Sequence, residues 1–523
     1  MKDAKHITKY INLLFKSRFQ TPQHQRELVE DIARRGFLKQ IIDITLFSAL
    51  ASTCCGLPVQ YSTVTLPDMG DSDRTNLSPY EANFLGQQII QDIANQGGME
   101  NDFDILAYLN DIGSNIASFS PLAGESFDFY ITKEKTINAF ALPGGYICFN
   151  NGLIYTTQSE AEFISVMAHE IGHVVQHHVF RNISVYNRSQ WMSLAGLIAG
   201  AVLATINPSV GLVALSSSQG IGIQNMLSNS RDFEREADRV GQNLMYEADY
   251  NPNAMPEFFK RMQSSNQFNN NEALAFLQTH PVTSERISEA QNRARQMHVK
   301  MRPDSVSFLL IREKCRNYQL GVADVINFYN ESLHEKKYIN IDAQYFGLAN
   351  ALNLFKKYKE SLITLNKISG KDFINHPAVL NLRALTTFHC GDVKKALEIY
   401  EMALDSYPNY KALFIGRVDL YINTKNYKSA IPLLNSLTNI YPNDLDIWNR
   451  IATVNSDNGL NNKQKYYYAL GNVEFIKRDY KSALNQYQKA INIKSEDSFL
   501  NNQISAKILE SKEIIRLNKK YGD

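Results

Sequence analysis

The chain has 523 residues, of which 44% are hydrophobic and 20% charged, with a formal net charge of +1. That length exceeds one ordinary domain and predicts two or three, and the composition is that of a globular chain, not a disordered or membrane-filling one. Balanced charge without a basic stripe gives no electrostatic footprint for nucleic acid, so no such partner is expected.

Residues 1–51 read as an export signal. The segment "ARRGFLKQIIDITLFSALAST" has a basic start, an apolar run and small residues at its end. The run from Gln40 to Thr53 is too short to cross about 30 Å of hydrocarbon, and Asp43 interrupts it. Arg34-Arg35-Gly36-Phe37-Leu38-Lys39 resembles a twin-arginine signal, although Ala33 stands where that signal usually has Ser or Thr. Ala49-Leu50-Ala51 fits the small-x-small cleavage rule, so a mature chain is expected from near Ser52, in the periplasm. Lipidation at Cys54 and an uncleaved amphipathic helix are the alternatives. Export would put Cys54, Cys55, Cys148, Cys315 and Cys390 in an oxidising compartment. An odd, widely spaced set is no disulfide framework, and Cys315–Cys390 is the single bridge considered.

Residues 52–75 are expected to be a linker, rich in polar residues and punctuated by Pro58, Pro67 and Gly70. Helical periodicity follows in "PYEANFLGQQIIQDIA" and "FDILAYLNDIGSNIASF", then strand alternation in "SFDFYIT" (126–132). "INAFALPGGYICFNNGLI" (137–154) reads as strand, Pro-Gly-Gly turn and strand, at a sheet edge because Pro143 cannot join a central ladder. Ser159 and Glu162 form a capping box that opens a helix of roughly twenty residues. From Ser189 to Ser230 no residue is charged. Asn207-Pro208 splits that stretch below the length of a membrane span, leaving a buried helical hairpin or a surface in peripheral contact with membrane or apolar clients.

Past residue 300 the chain becomes repetitive. Ala384, Ala396, Tyr400, Ala403 and Pro408 recur 34 residues on as Val418, Ala430, Leu434, Leu437 and Pro442. Gly471, Ala483, Tyr487 and Ala490 repeat the pattern, and Ala349 and Ser361 anticipate it. A 34-residue period with small residues where paired helices cross resembles the tetratricopeptide repeat, a solenoid with a concave binding surface. The expected divisions are a compact segment over 76–300 and helical repeats over 301–523.

Chemistry concentrates in "MAHEIGHVVQHHVF" (167–180). His169-Glu170-Ile171-Gly172-His173 is H-E-x-x-H, and residues four apart on a helix face lie roughly 6 Å apart, so both imidazoles reach one zinc. Glu170, about 100° around the helix, is placed to act on the attacking water. His177 lies about 12 Å beyond His169 along a straight helix and cannot join them, and Gln176 and Val179 exclude the longer H-E-x-x-H-x-x-G-x-x-H arrangement. His177 and His178 are expected to be solvated or to support the ligands from behind. A third ligand must come from elsewhere, and "SRDFEREADRVG" offers Glu234, Glu236 and Asp238. Glu234 and Asp238 share one helix face while Glu236 points away, so that face can supply a ligand and a supporting carboxylate.

H-E-x-x-H followed by E-x-x-A-D resembles the gluzincin peptidases that include the CAAX prenyl protease and the HtpX-type heat-shock membrane protease. The resemblance implies a mostly α chain: an α+β zincin-like domain with a small sheet, then a tetratricopeptide solenoid. It makes His169, His173 and Glu234 the ligands of one Zn2+ per chain, Glu170 the catalytic base, and Asp238 a supporting or proton-donating acid. "NAFALPGGYICFNNGLI" resembles the family's edge strand, so Asn138, Ala139, Phe140 and Ala141 would pair with extended substrate. "LQTHPVTSERI" adds His280 as a fourth ligand or latch, and Arg286 as a partner of the substrate oxyanion or of Asp238. The membrane-spanning helices of those two relatives are absent. The nearer likeness, over roughly residues 75–523, is to the soluble periplasmic branch of β-barrel-assembly-enhancing proteases. It implies unfolded or stalled outer-membrane β-barrel proteins as substrates, and the barrel-assembly machinery as a partner of the repeats. A chaperone or adaptor with a latched protease is the other reading.

Overall fold

The computed structural model describes residues 79–122, 124–183, 230–267, 273–298 and 301–521. The export signal, the linker, Cys54, Cys55 and nearly all of the uncharged 189–230 stretch lie outside the described residues. No helix among those described is long and apolar enough to cross a membrane.

Helices α1 (Pro79–Asn95) and α2 (Phe103–Ala117) come first. Asp102 caps α2 by accepting the backbone N–H groups of Asp104 and Ile105. Three strands follow: β1 (Asp128–Thr132), β2 (Ala139–Leu142) and β3 (Tyr146–Asn150). Their order is β1-β3-β2, with β1 parallel and β2 antiparallel to β3. Of the segment expected at a sheet edge, only β2 lies there; β3 pairs on both sides as the central strand, because Pro143 falls in the turn beyond β2 and leaves the β3 ladder intact. In the turn after Pro143, Gly144 and Gly145 both have φ of +83°, and a side chain on Gly144 would strike the Asn83 backbone.

Two expectations are corrected. Residues 151–154 are not strand: they open helix α3 (Asn151–Thr156). The helix capped by Ser159 is shorter than twenty residues: α4 spans Glu160–Val175. Ser159 accepts the Glu162 N–H as predicted, but Glu162 reaches back to the Gln158 N–H and pairs with Arg261 at 2.7 Å. A left-handed residue, His177 (φ 53°), breaks the helix before α5 (His178–Ile183).

Helices α6 (Arg231–Glu247), α7 (Ala254–Gln267), α8 (Leu274–Thr279) and α9 (Ser284–Gln296) complete this half. α4 is buried on nearly every side, sandwiched by β2, α6 and α7. Beyond it, α10 (Val306–Gln319), α11 (Val322–Glu335) and α12 (Ile341–Leu354) lead into helices that continue to Tyr521. The positions recurring every 34 residues are interior: Ala384, Ala396, Ala403, Val418 and Ala430 are all fully buried. At Gly471 a Cβ would meet the Tyr487 ring at 2.3 Å, which explains the smallest residue at a helix crossing.

One hydrophobic core runs from Ile105 through the α4 residues Ile164 and Ile171 to Phe308, Ile311, Phe346 and Leu382. The seam is also bolted by charge, with Lys314 Nζ 2.7 Å from Asp102 and 2.5 Å from Asp104. Arg478, far down the repeats, donates to the Phe84 carbonyl at 3.2 Å. The three cysteines among the described residues are free: Cys148 and Cys315 are buried and Cys390 is exposed, so the Cys315–Cys390 bridge does not form.

Candidate metal centre

The i,i+4 rule brings His169 and His173 onto one face of α4, their Nε2 atoms 3.0 Å apart. α6 crosses that face closely because both helices have a glycine at the contact. A Cβ on Gly172 would lie 2.8 Å from the Ala237 carbonyl oxygen, and one on Gly241 would lie 3.0 Å from the His169 nitrogen. This approach delivers Glu234, whose Oε2 is 3.4 Å from His169 Nε2 and whose Oε1 is 3.3 Å from His173 Nε2. Gly172→Ala should therefore push α6 outward, cost about 1–3 kcal/mol and weaken metal binding. Thermal unfolding and chelator competition would check it; wild-type values in both would show that the close crossing is unnecessary.

His280, just past α8, closes the group. Its Nδ1 lies 3.1 Å from Glu234 Oε1 and 3.3 Å from His169 Nε2. Phe276 stacks on its ring with centroids 5.0 Å apart, and its Nε2 is 3.4 Å from the Ala139 carbonyl of β2. Thr279 donates to Asn138 Oδ1 at 3.1 Å, tying this segment to the same edge. Four ligating side chains are thus gathered, all buried.

The chemistry of this donor set fits a cation. The distances of 3.0–3.4 Å match the edges of about 3.3 Å expected for a tetrahedron of N and O ligands around Zn2+. His169 Nδ1 faces Asp238 Oδ1 at 3.0 Å, so its proton belongs there and its Nε2 offers a lone pair. His173 Nδ1 meets His178 Nδ1 at 2.8 Å, and His178 Nε2 meets Glu236 at 2.9 Å. With the proton of His173 on Nδ1 and that of His178 on Nε2, the His173 Nε2 lone pair also points inward. Charge gives the same answer. Glu170, Glu234 and Asp238 are buried against one buried guanidinium, Arg286, which leaves two negative charges for a divalent cation to balance. The titration pattern reflects that demand. Burial opposes charge on His169, but Glu234 and Asp238 raise it to about 10. Burial pushes His173 down to about 3. Burial also works to raise Glu234, yet His280, Arg286 and His169 hold it well below the usual carboxylate range.

The sequence-predicted residues are brought together. Glu170 is 1% exposed and its Oε1 is 3.5 Å from His280 Nε2; burial raises its pKa, with a hydrogen bond to the Ala141 backbone among the opposing effects. Asp238 receives two hydrogen bonds of 2.8 Å from Arg286, which also contacts Glu234 Oε2 at 2.7 Å and the Pro281 carbonyl at 2.8 Å. Arg286 is thus 1% exposed and paired with Asp238, one of the two partners expected for it. His177 is exposed, whereas His178 is fully buried and supports His173. Its ring stacks on Phe233 at 4.4 Å, and Arg181 pairs with Glu236 at 2.8 Å behind it. Contact between His178 and His173 depends on the left-handed break at His177, which no spacing rule announces.

Residues 106–294 match the model of peptidase family M48, and residues 390–452 match that of the tetratricopeptide repeat. The chain carries an M48-family peptidase domain joined to tetratricopeptide repeats. It is 28% identical over 422 residues to the "Beta-barrel assembly-enhancing protease" of Yersinia pestis, covering 80% of this chain and 85% of the relative. The Escherichia coli (strain K12) protein of the same name is 26% identical over 442 residues, covering 82% and 87%. The M48 half alone is similar to the "Mitochondrial metalloendopeptidase OMA1" of Schizosaccharomyces pombe, at 28% over 193 residues, which covers 37% of this chain and 54% of that one. The chain is a metallopeptidase, and its described residues are mostly helical with one small sheet.

Proposed function

We propose that this M48 peptidase is a zinc metalloendopeptidase of the periplasm that cuts unfolded or stalled outer-membrane β-barrel proteins. The observation that carries the reading is the convergence of His169, His173 and Glu234 at 3.0–3.4 Å beside the buried carboxylate of Glu170. The names and coverage of the bacterial relatives support the substrate class and the compartment. In this reading residues 1–51 export the chain, 52–75 link, 76–300 cut and 301–523 present clients and meet the assembly machinery.

A Zn2+ held by His169, His173 and Glu234 would acidify water and polarise the scissile carbonyl. Glu170 takes the proton of the attacking water and passes one to the leaving amine; its raised pKa suits both acts. Asp238 orients His169, and Arg286 fixes Asp238 and Glu234 together. Substrate joins β2 as an added strand, using the backbone groups of Ala139 and Ala141 that face away from β3.

His280 is the latch. It sits both in the fourth ligand position and against the Ala139 carbonyl, so it covers the metal and the strand edge with one side chain. A resting chain held this way also suits the second reading, a chaperone whose protease is mostly closed. With an unfolded outer-membrane β-barrel protein as substrate, wild type should cleave slowly and lose that activity to a chelator. His280→Ala should cleave about 10–100-fold faster, as removal of a dominant closed state allows. A His280→Ala rate at or below wild type would refute the latch, and no metal-dependent cleavage by either protein would refute the protease.

A further inference from the structure

Charge is shared unequally by the two halves of the chain. Residues 76–300 hold 13 Lys and Arg against 22 Asp and Glu, whereas residues 301–523 hold 31 against 23. A net charge of +1 thus hides an acidic half joined to a basic one, and the excess of base has a definite place. After α12 come α13 (Tyr358–Leu365), the one-turn α14 (Lys371–Ile374), α15 (Pro377–His389), α16 (Val393–Ser406), α17 (Lys411–Asn423) and α18 (Tyr427–Ile440). α12 with α13, α15 with α16, and α17 with α18 are packed pairs joined by tight turns, and each pair packs on the next. Stacked helical hairpins bring their internal turns to one edge of a solenoid. The first two turns touch there, where the Tyr358 ring stacks on His389 with centroids 4.3 Å apart.

Lysine fills that edge. Lys356 and Lys359 at the first turn, Lys394 and Lys395 at the second, and Lys425 and Lys428 at the third are all exposed. Two acidic residues share the edge, and both are engaged: Glu360 faces Lys357 at 3.8 Å, and Asp392 caps α16 by accepting the Lys395 N–H. Local stability does not ask for these lysines. Lys359, Lys394, Lys395 and Lys428 stand in the first turn of a helix, the end at which the macrodipole disfavours a cation. Lys356 and Lys425 have φ of 61° and 58°, at the place where the second turn has Gly391, the residue that a left-handed conformation favours. Leu354 and Phe355, 45% and 48% exposed, sit beside Lys356. The strip ends beyond the third pair, because Arg478, left-handed in the same way, donates to the Phe84 carbonyl and to Gln87 of α1.

A basic strip with exposed apolar side chains beside it carries both signals that hold a protein on an anionic bilayer. Six charges spread over three turns match a continuous layer of headgroups, and Leu354 and Phe355 match the acyl boundary beneath it. We propose that this edge of the repeats docks on a membrane surface rich in anionic phospholipid. The acidic peptidase half is repelled by the same surface, which orients the chain with its repeats down. The edge is distinct from the concave face of the solenoid and from the metal centre, and the docking does not depend on the reaction.

Flotation of the full chain with vesicles tests it. Wild type is expected to partition onto phosphatidylglycerol mixed with phosphatidylcholine, not onto phosphatidylcholine alone, and to dissociate as salt is raised. One lysine near such a surface strengthens partitioning about fivefold, so Lys356→Gln, Lys394→Gln and Lys425→Gln together should weaken it about a hundredfold. Lys336→Gln, Lys367→Gln and Lys371→Gln remove the same charge from turns at the other edge and should leave partitioning nearly unchanged. Phe355→Ser, which alters no charge, should weaken it about tenfold. All these side chains except Phe355 are exposed lysines, so the comparison between the two triple variants rests on folded protein. Equal partitioning of the two triple variants, or binding of wild type that ignores lipid charge, would overturn the inference and place the contact elsewhere in the chain. Wild type that fails to float, yet is retained by polyglutamate through the edge lysines, would overturn it in favour of an acidic protein partner.

Discussion

Glu170→Gln is expected to lower the rate of peptide cleavage by at least about a thousandfold, within the 10²–10⁴ that a positioned acid–base group contributes, while leaving metal content unchanged. The substitution keeps the shape of a side chain that is 1% exposed and removes only its capacity to take a proton. Glu170 contributes nothing to the ligand group of His169, His173, Glu234 and His280, so the metal should remain. Quantified zinc and a discontinuous cleavage assay would check both halves. Residual activity within tenfold of wild type would assign the base to another group. The same protein separates protease from chaperone: barrel assembly that survives Glu170→Gln needs the binding surfaces alone.

The largest loss of stability is expected from Arg286→Ala. This guanidinium holds Asp238 through two hydrogen bonds of 2.8 Å and Glu234 through a third contact of 2.7 Å. Removing it strands two buried carboxylates, and breaking a buried pair in this way costs about 3–5 kcal/mol. Arg286→Lys should recover only part, since a single ammonium cannot reproduce the planar fork or the packing over Phe259 at 4.7 Å. Denaturant titration of the three proteins would measure it. A loss below about 1 kcal/mol for Arg286→Ala would mean that the carboxylates are neutralised by other means.

How much of this site was legible depends on how local each rule is. His169 and His173 could be paired because i,i+4 adjacency is a property of any helix, and Glu234 and Asp238 share a face for the same reason. That α6 lies against α4 was not readable, because periodicity reports a buried face and never its partner; the family resemblance supplied it. The sequence left His177 and His178 between solvent and a supporting place behind the ligands; which of them takes which is decided by the left-handed turn at His177, set by tertiary packing. Helix α3 was misread as strand because a short apolar run carries no decisive period. Its Gly152 lies so close to the Lys135 carbonyl that a Cβ would sit 1.9 Å from it, a constraint from elsewhere in the chain. The repeats were legible as a period, but their shared core with the peptidase was not.

That shared core has a consequence for how the chain fails. Phe308, Ile311 and Phe346 belong to the same apolar interior as Ile164 and Ile171, which flank the histidine-bearing turns of α4. A nascent chain halted near residue 300, or one clipped there, lacks the wall on which that interior closes. Such a fragment is expected to expose that apolar side and to lose its hydrolase activity, so the packing would make the integrity of the far half a condition of the near half's cutting power.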